Sequence, residues 1–354
     1  MSLHRWLRTT NPPLYDFLST LSGKESVGGE EEAVLAALTH CASDESVGKA
    51  LAAVKQEHKK RVAREVYARK GIEINPYSVY DMQLGVIHES KRQLLNALCL
   101  AMKYFQLVEQ PQADVPEVTY FFSGKAAPNY YAAKEILHFI NALANRINHD
   151  PQIREKMMVV FIEDYNMSRI QALLPACDTY ENLGFAEKEP CGTTVMKAMV
   201  NGAVPCTSRT GIGYDLARQK ELACYAFGPT IDEIFPRPVR RGKFGYILES
   251  QDAVRALLER LLRCSRRVID YDFHRLYELL VRYDDSFSVL EDLLSYRTVR
   301  MQMEMDYFDA LVWNQKSLHN IAGSVMFSMQ TTLQIYRDTV WNAPGTPVNQ
   351  SAQK

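Results

Sequence analysis

The sequence lacks the features that would place it in several large functional classes. It carries no surplus of charge. Its 41 Lys and Arg stand against 42 Asp and Glu, a formal net charge of −1, which removes the electrostatic case for binding nucleic acid or an anionic membrane surface. It has no apolar run near the ~20 residues that a membrane-spanning helix needs, and residues 1–15 lack the apolar stretch of a secretory leader. No CxxC pair occurs. The seven cysteines (Cys41, Cys99, Cys177, Cys191, Cys206, Cys224 and Cys264) are odd in number and spaced neither as a disulfide framework nor as zinc ligands. Reduced thiols in a cytoplasmic protein are therefore expected, with no metal site. There is no HExxH, because Arg92 occupies the place of the second histidine after His88-Glu89. There is no GxxxxGK[ST] loop around Gly124-Lys125 either.

What is present is a chain of 354 residues, 47% hydrophobic, long enough to bury a proper core in one large or two modest domains. It contains no internal repeats. Asn11-Pro12-Pro13 makes a turn and starts a short helix over residues 14–21. Over residues 46–69 the apolar residues Val47, Leu51, Val54, Val62 and Val66 recur at helical spacing, and Gly71 stops that helix. A repeating pattern follows. Residues 79–87, 118–124 and 157–164 read as strands, with 203–208 as a further candidate, and residues 88–108, 130–147, 168–174, 193–201 and 214–221 read as helices. Strands alternating with helices predict a doubly wound, mostly parallel, Rossmann-like α/β sheet, with ligands at the carboxyl ends of the strands. Those ends are Gly85-Val86, Gly124-Lys125 and Glu163-Asp164-Tyr165. The expected organisation is one unit over residues 1–341: a helical lead-in (1–70), an α/β core (71–250) and a helical region (251–341). Residues 342–354, rich in Pro, Gly and Gln, read as a disordered tail.

Three segments could carry chemistry. Gly192-Thr193-Thr194 ahead of Lys197 puts free backbone N–H groups and a helix dipole beside a lysine, which reads either as an anion site or as a plain helix cap with a solvated lysine. Gly124-Lys125-Ala126-Ala127-Pro128 reads as a tight strand-to-helix turn. His88-Glu89-Ser90-Lys91 reads as a charged helix start with Glu89 and Lys91 facing solvent. The basic loop 235–246 could bind an anion, but reads better as a solvated surface loop.

The segments IHESKRQLLN (87–96), GKAAPNY (124–130), INHDP (147–151), IEDYNMS (162–168), PACD (175–178) and EPCGTTVMKAMVNGA (189–203) add a resemblance. In this order they resemble the C-terminal, cofactor-carrying half of the α-glucan phosphorylases. The likeness extends from Trp6 to about Trp341 and takes in HRWLRTTNPPL and VKQEHKKR. The resemblance implies the C-terminal half of a GT-B glycosyltransferase fold and pyridoxal phosphate as cofactor. Lys197 matches the lysine that carries the cofactor, Gly192, Thr193 and Thr194 match the turn that cradles its phosphate, and Tyr165 and Trp6 match residues lining its pocket. Glu189 matches the glutamate that grips the transferred glucose, and Lys91 matches a catalytic-site lysine. Glucan or a glucose phosphate is the implied ligand.

The departures from that pattern point the other way. Where the family has Lys-Arg just before the IHE motif, this chain has Gly85-Val86. The family's tyrosine is Ser90, its Gly-Asn is Thr194-Val195, an arginine is Asn166, and an aspartate and an asparagine are Thr210 and Gly213. The match begins after the family's N-terminal half. These losses predict weak or no cofactor and no phosphorolysis by this chain alone, hence a binding or regulatory module. The alternatives are a phosphorylase subunit completed by a separate N-terminal chain and a cofactor-storing protein. Near the C-terminus Val325, Met326, Met329, Leu333, Ile335 and Tyr336 are too many for one core-facing stripe, so they are expected to pack on another chain, on a second copy, or back on this domain.

Overall fold

The computed structural model describes residues 3–22, 38, 41, 43–185, 192–234 and 242–341. Three helices lead in: α1 (Leu3–Thr10), α2 (Pro12–Ser22) and α3 (Glu45–Lys70). The limits of α3 are chemical. Asp44 accepts the backbone N–H of Ser46 at 2.8 Å, and Gly71, at φ 65, closes the other end by donating its N–H to the Tyr67 carbonyl. The buried face of α3 is more than the apolar stripe visible in sequence. Lys55, His58 and Lys59 lie on it between Leu51 and Val62. Lys59 Nζ meets Asp178 at 2.7 Å, and Lys55 donates to the carbonyls of Cys177 and Gly202.

Six strands form one sheet: β1 (Val79–Leu84), β2 (Val118–Ser123), β3 (Met157–Ile162), β4 (Thr179–Asn182), β5 (Val204–Ser208) and β6 (Tyr225–Phe227). Their order is β3-β2-β1-β4-β5-β6, and every pair is parallel. The chain builds outward from β1 in one direction, then returns to β4 and builds in the other. This is the doubly wound sheet the alternation predicted, and its switch point lies between β1 and β4. The crossovers are α4 (Gln93–Glu109), α5 (Tyr131–Asn148), α6 (Met167–Leu173), α7 (Thr193–Met199) and α8 (Ile212–Arg218). The sheet is buried on both faces, which explains why its strands read as apolar runs rather than alternations. Tyr120 and Phe122 belong to one core and Phe121 to the other.

After β6 come α9 (Ile231–Ile234), α10 (Lys243–Ser250), α11 (Asp252–Cys264), α12 (His274–Arg282), α13 (Leu293–Asp306), α14 (Ala310–Gly323) and α15 (Met329–Tyr336), then a π-helical turn, Arg337–Trp341. Among the described residues no helix is long and apolar enough to cross a membrane.

Two expectations need correction. The helix expected over 88–108 is broken. A short 3-10 turn, Glu89–Lys91, precedes α4, and Arg92 between them is left-handed at φ 54. Arg92 is fully buried. Its Nη1 reaches Asp292 at 2.6 Å and its Nε donates to the Leu183 carbonyl, contacts that fix it in an otherwise disfavoured conformation. Glu89 and Lys91 do not face solvent: both are half-buried. The loop expected over 235–246 gives way to α10 at Lys243, which is tied to Glu291 at 2.6 Å. Residues 235–241, the tail 342–354, Glu189 and Cys191 lie outside the described residues.

Candidate functional site

The carboxyl ends of β1 and β2 approach closely. Their pairing continues past the strands, with the Gly85 N–H donating to the Ser123 carbonyl and the Ile87 N–H to the Lys125 carbonyl. At Gly124 a Cβ would collide with the Gly85 carbonyl oxygen and with Ile87, so only glycine fits there. The GKAAPNY segment then turns into α5 and sends Tyr130 back onto the IHES segment. The Tyr130 hydroxyl donates to Glu89 at 2.5 Å, and its ring packs against His88 at 4.9 Å. The two motifs are one structural unit.

Lys91 ends the turn at the mouth of β1. Burial lowers the pKa of its ammonium. Its carbonyl is held by a buried relay that begins 209 residues away: Arg300 Nη1 donates to Asn96 at 2.6 Å, Asn96 Nδ2 to Gln83 at 3.0 Å, and Gln83 Nε2 to the Lys91 carbonyl at 3.1 Å. Arg300 also faces Asp81 on β1 at 3.0 Å, Glu181 on β4 at 3.7 Å and Glu304 at 3.8 Å. Burial raises the pKa of both Asp81 and Glu181. Asp81 takes the close contacts of Arg300 and of the Thr179 hydroxyl, whereas neither Glu181 oxygen has a hydrogen bond among the described residues. Glu181 is therefore the member that keeps the proton.

The second half of the site hangs on α7. Gly192 is extended (φ −84, ψ 130) and starts the helix at Thr193-Thr194; Thr193 is exposed. Thr194 lies within hydrogen-bonding reach of the Tyr165 and Tyr180 hydroxyls, whose pKa values are raised by burial. Tyr180 also donates to the Leu84 carbonyl at the end of β1. Lys197 projects from the same helix, one turn on, with its ammonium 4.8 Å from the Trp6 ring centre. Burial lowers its pKa, which favours the neutral, nucleophilic amine.

Trp6 reaches this place through a polar clasp. Asn11 Nδ2 donates to Asn201 at 2.9 Å, Asn11 Oδ1 accepts from His58 Nε2 at 2.7 Å, and Asn201 Nδ2 donates to the Lys197 carbonyl at 2.9 Å. The clasp locks α1 onto α7. The Trp6 indole N–H is buried and has no partner among the described residues.

The structure thus brings Trp6, Lys197, Thr194 and Tyr165 together, with Gly192 and Thr193 opening the same helix. Lys91 stands on the turn after β1, where the Phe185 N–H, past the end of β4, donates to the Ser90 carbonyl. Glu189 falls outside the described residues. Asn11, Asn201, Tyr180, Asn96 and Arg300 were not singled out as site residues in the sequence. Asn11 had a signal only as part of a turn, and Asn96 and Asn201 lay inside quoted segments without a role assigned to them.

A lysine amine beside an indole donor without a partner among the described residues, next to two tyrosines and a helix start, is a donor set that fits an aldehyde-bearing aromatic cofactor with an anionic group. Pyridoxal phosphate is such a molecule. The fit is good at the aldehyde and ring. Positions 85 and 86, just past the carboxyl end of β1, carry no cation. Gly85 is buried, and Val86 is 50% exposed and apolar.

Comparison with known proteins agrees. The family model for carbohydrate phosphorylases matches residues 1–343. The chain is 30% identical over 339 residues to a glycogen phosphorylase of Bacillus subtilis (95% of this chain, 42% of the relative). It is 31% identical over 349 residues to a maltodextrin phosphorylase of Streptococcus pneumoniae (97% and 45%). It is 32% identical over 347 residues to the human liver form of glycogen phosphorylase (96% and 40%). The chain spans about two fifths of the length of these relatives.

Proposed function

Because the chain belongs to the carbohydrate phosphorylase family, we propose that it is a phosphorylase-derived module which retains the cofactor-carrying lysine, does not phosphorolyse glucan alone, and serves as a binding or regulatory partner in carbohydrate metabolism. The observation that carries this is Gly85-Val86 at the carboxyl end of β1, beside the switch point of the sheet.

Pyridoxal phosphate would be held by Lys197, with Trp6 and Tyr165 along its ring and the Gly192-Thr193-Thr194 helix start at its phosphate, where that phosphate supplies an acid–base partner to the substrate phosphate. Two such phosphates side by side repel, and the protein has to offset that repulsion. At an effective dielectric of 20 one unit charge pair 4 Å apart is worth about 4 kcal/mol. Two missing cations on one turn therefore cost several kcal/mol of transition-state stabilisation. Lys91 remains, half-buried, with its pKa lowered by burial.

The test is release of glucose 1-phosphate from maltodextrin with excess phosphate, with and without added pyridoxal phosphate. No release is expected. A rate within a few orders of magnitude of an ordinary phosphorylase refutes the proposal. The double variant Gly85→Lys, Val86→Arg is feasible, because a Cβ at Gly85 meets nothing within 4 Å and Val86 already points outward. One further observation favours a second reading, a subunit completed by another chain: Lys197 stands on α7 with its amine 4.8 Å from the Trp6 ring centre, as a cofactor anchor would require. Activity that appears only on adding a separate N-terminal phosphorylase half would establish that reading, and the double variant should then raise the rate.

A further inference from the structure

Helices α4 and α13 pack on each other, and each gives the seam a stripe at helical spacing. Leu100, Lys103 and Leu107 come from α4, and Arg297, Arg300, Met301 and Glu304 from α13. A seam between helices is normally filled by interdigitating apolar side chains. This one carries long polar side chains that leave it for partners elsewhere. Arg300 runs to Asp81 on β1 at 3.0 Å, and Lys103 turns to the Tyr120 hydroxyl at 2.9 Å. A cleft remains between the two helices, and Cys99 and Val115 complete its apolar lining.

Two donors on this cleft are unspent. Arg300 gives Nη1 to Asn96 and the Tyr296 hydroxyl, and Nη2 to Asp81. Its Nε is buried with no hydrogen-bond partner among the described residues, and the Glu304 carboxylate stands off at 3.8 Å. A buried donor without an acceptor is costly, so this position asks for one. Arg297, three residues earlier on the same stripe, is half-buried. It donates to the neutral Gln106 side chain at 2.8 Å and makes no ion pair among the described residues. The other cations of the cleft are answered: Lys103 by Glu304 at 2.6 Å, and Arg300 by Asp81. The charge of Arg297 is left over, so the cleft holds an excess of one positive charge.

We propose that this cleft binds a small monocarboxylic acid with a hydrocarbon body, whose carboxylate takes the Arg300 Nε–H and the charge of Arg297. One unanswered cation matches one negative charge. A dianion would bury a charge with nothing opposite it, and a neutral molecule would leave Arg297 uncompensated. The Glu304 carboxylate does not oppose the ligand strongly, because Lys103 and the Tyr120 hydroxyl already engage it. The body of the acid lies against Cys99, Leu100, Leu107, Val115 and Met301, in keeping with the apolar lining and few polar anchors of small-molecule sites. On α4 the lining runs from Cys99 to Leu107, a rise of about 12 Å, which limits the ligand to a short acid. Both walls belong to this chain, so the site is complete without any other.

The test uses the full chain with benzoate as the probe and benzamide as its uncharged counterpart. Isothermal titration at fixed ionic strength should show saturable one-to-one binding of benzoate and at least tenfold weaker binding of benzamide. Arg297→Gln should weaken benzoate at least tenfold, and Arg297→Lys, which keeps the charge, far less. Arg263→Gln removes an exposed cation from α11 and should change nothing. Met301 stands 46% exposed at the rim of the cleft, so Met301→Cys reports location: benzoate should slow alkylation at position 301, read by peptide mapping. That readout holds even where Arg297→Gln fails to fold. Absence of saturable benzoate binding overturns the proposal. So do benzamide binding as tight as benzoate, equal losses in Arg297→Gln and Arg263→Gln, or alkylation at position 301 that benzoate leaves unchanged.

Discussion

Replacing Arg300 by methionine tests the electrostatic account of the sheet's switch point. Arg300 is 3% exposed and serves Asp81, Glu181, Glu304, Asn96 and the Tyr296 hydroxyl. Glu304 keeps Lys103 at 2.6 Å and the Tyr120 hydroxyl. Asp81 and Glu181 keep no cation close by. Removing one member of a buried ion cluster costs about 3–5 kcal/mol, because the remaining charge is stranded. Against a usual domain stability of about 5–15 kcal/mol that is a large fraction. Glu181→Gln is the control. Burial holds the Glu181 carboxyl well above the usual range, which favours its protonated form, and glutamine copies that form at a cost below about 1 kcal/mol. The pH dependence has a definite sign. A carboxyl whose folded pKa is raised contributes stability that is complete below its unfolded pKa, near 4.5, and is lost as pH rises towards the folded value. Glu181→Gln should remove that loss and flatten the stability profile on the alkaline side. Urea unfolding at several pH values, with the m-value as a check on the unfolded state, measures both variants. An Arg300→Met cost below 1 kcal/mol, or a Glu181→Gln cost equal to it, refutes the reasoning.

Three further outcomes are expected. His58 is buried and pushed down to about 4 by burial, so folding keeps it neutral; stability should fall as pH drops from 6.5 towards 4, and His58→Gln should reduce that slope in pH-dependent thermal melts. Asn11→Ala leaves Asn201 and His58 without their buried partner, which should cost about 1–3 kcal/mol and move the emission of Trp6 towards that of a solvated indole; an unchanged spectrum in a chain lacking the other two tryptophans would contradict the clasp. Borohydride reduction after incubation with pyridoxal phosphate should label Lys197 at low stoichiometry and label it more fully in Gly85→Lys, Val86→Arg; peptide mapping that finds full labelling of the natural chain, or labelling of a different lysine, contradicts the expected weak occupancy or the anchor.

The parts of the fold that were legible in the sequence are those with local signals. Val118–Ser123 and Met157–Ile162 announce themselves because both faces of the sheet are buried and nearly every side chain is apolar. Thr179–Asn182 and Tyr225–Phe227 do not. The first contributes Glu181 to a buried ion cluster whose other members include Asp81, Arg300 and Glu304, so its polarity makes sense only across a long sequence separation. The second is three residues long. The same holds for α3, whose inward lysines look like surface residues until Asp178 stands opposite them. At the site, Lys197 stood in a segment that the sequence itself offered as an anion site or a plain helix cap, whereas Tyr165 and Trp6 came from the family likeness, and no spacing in the chain links the three. Asn11 and Asn201 carry no motif that marks a hydrogen bond across 190 residues.

That last separation bears on synthesis as well as on structure. A site walled by Trp6 on one side and Lys197 on the other is closed only when Asn201 has left the ribosome, and at about 5–20 residues per second the N-terminal helices wait on the order of 10–40 seconds for their seat. During that interval Trp6, Leu7 and Leu14 have no native partner on α7 or α14. Contacts so distant in sequence form late and pay the full loop-closure entropy. The indole of Trp6 is therefore made long before the amine it will face, and a chaperone that meets the nascent chain meets the apolar residues of the first helices before it meets Lys197.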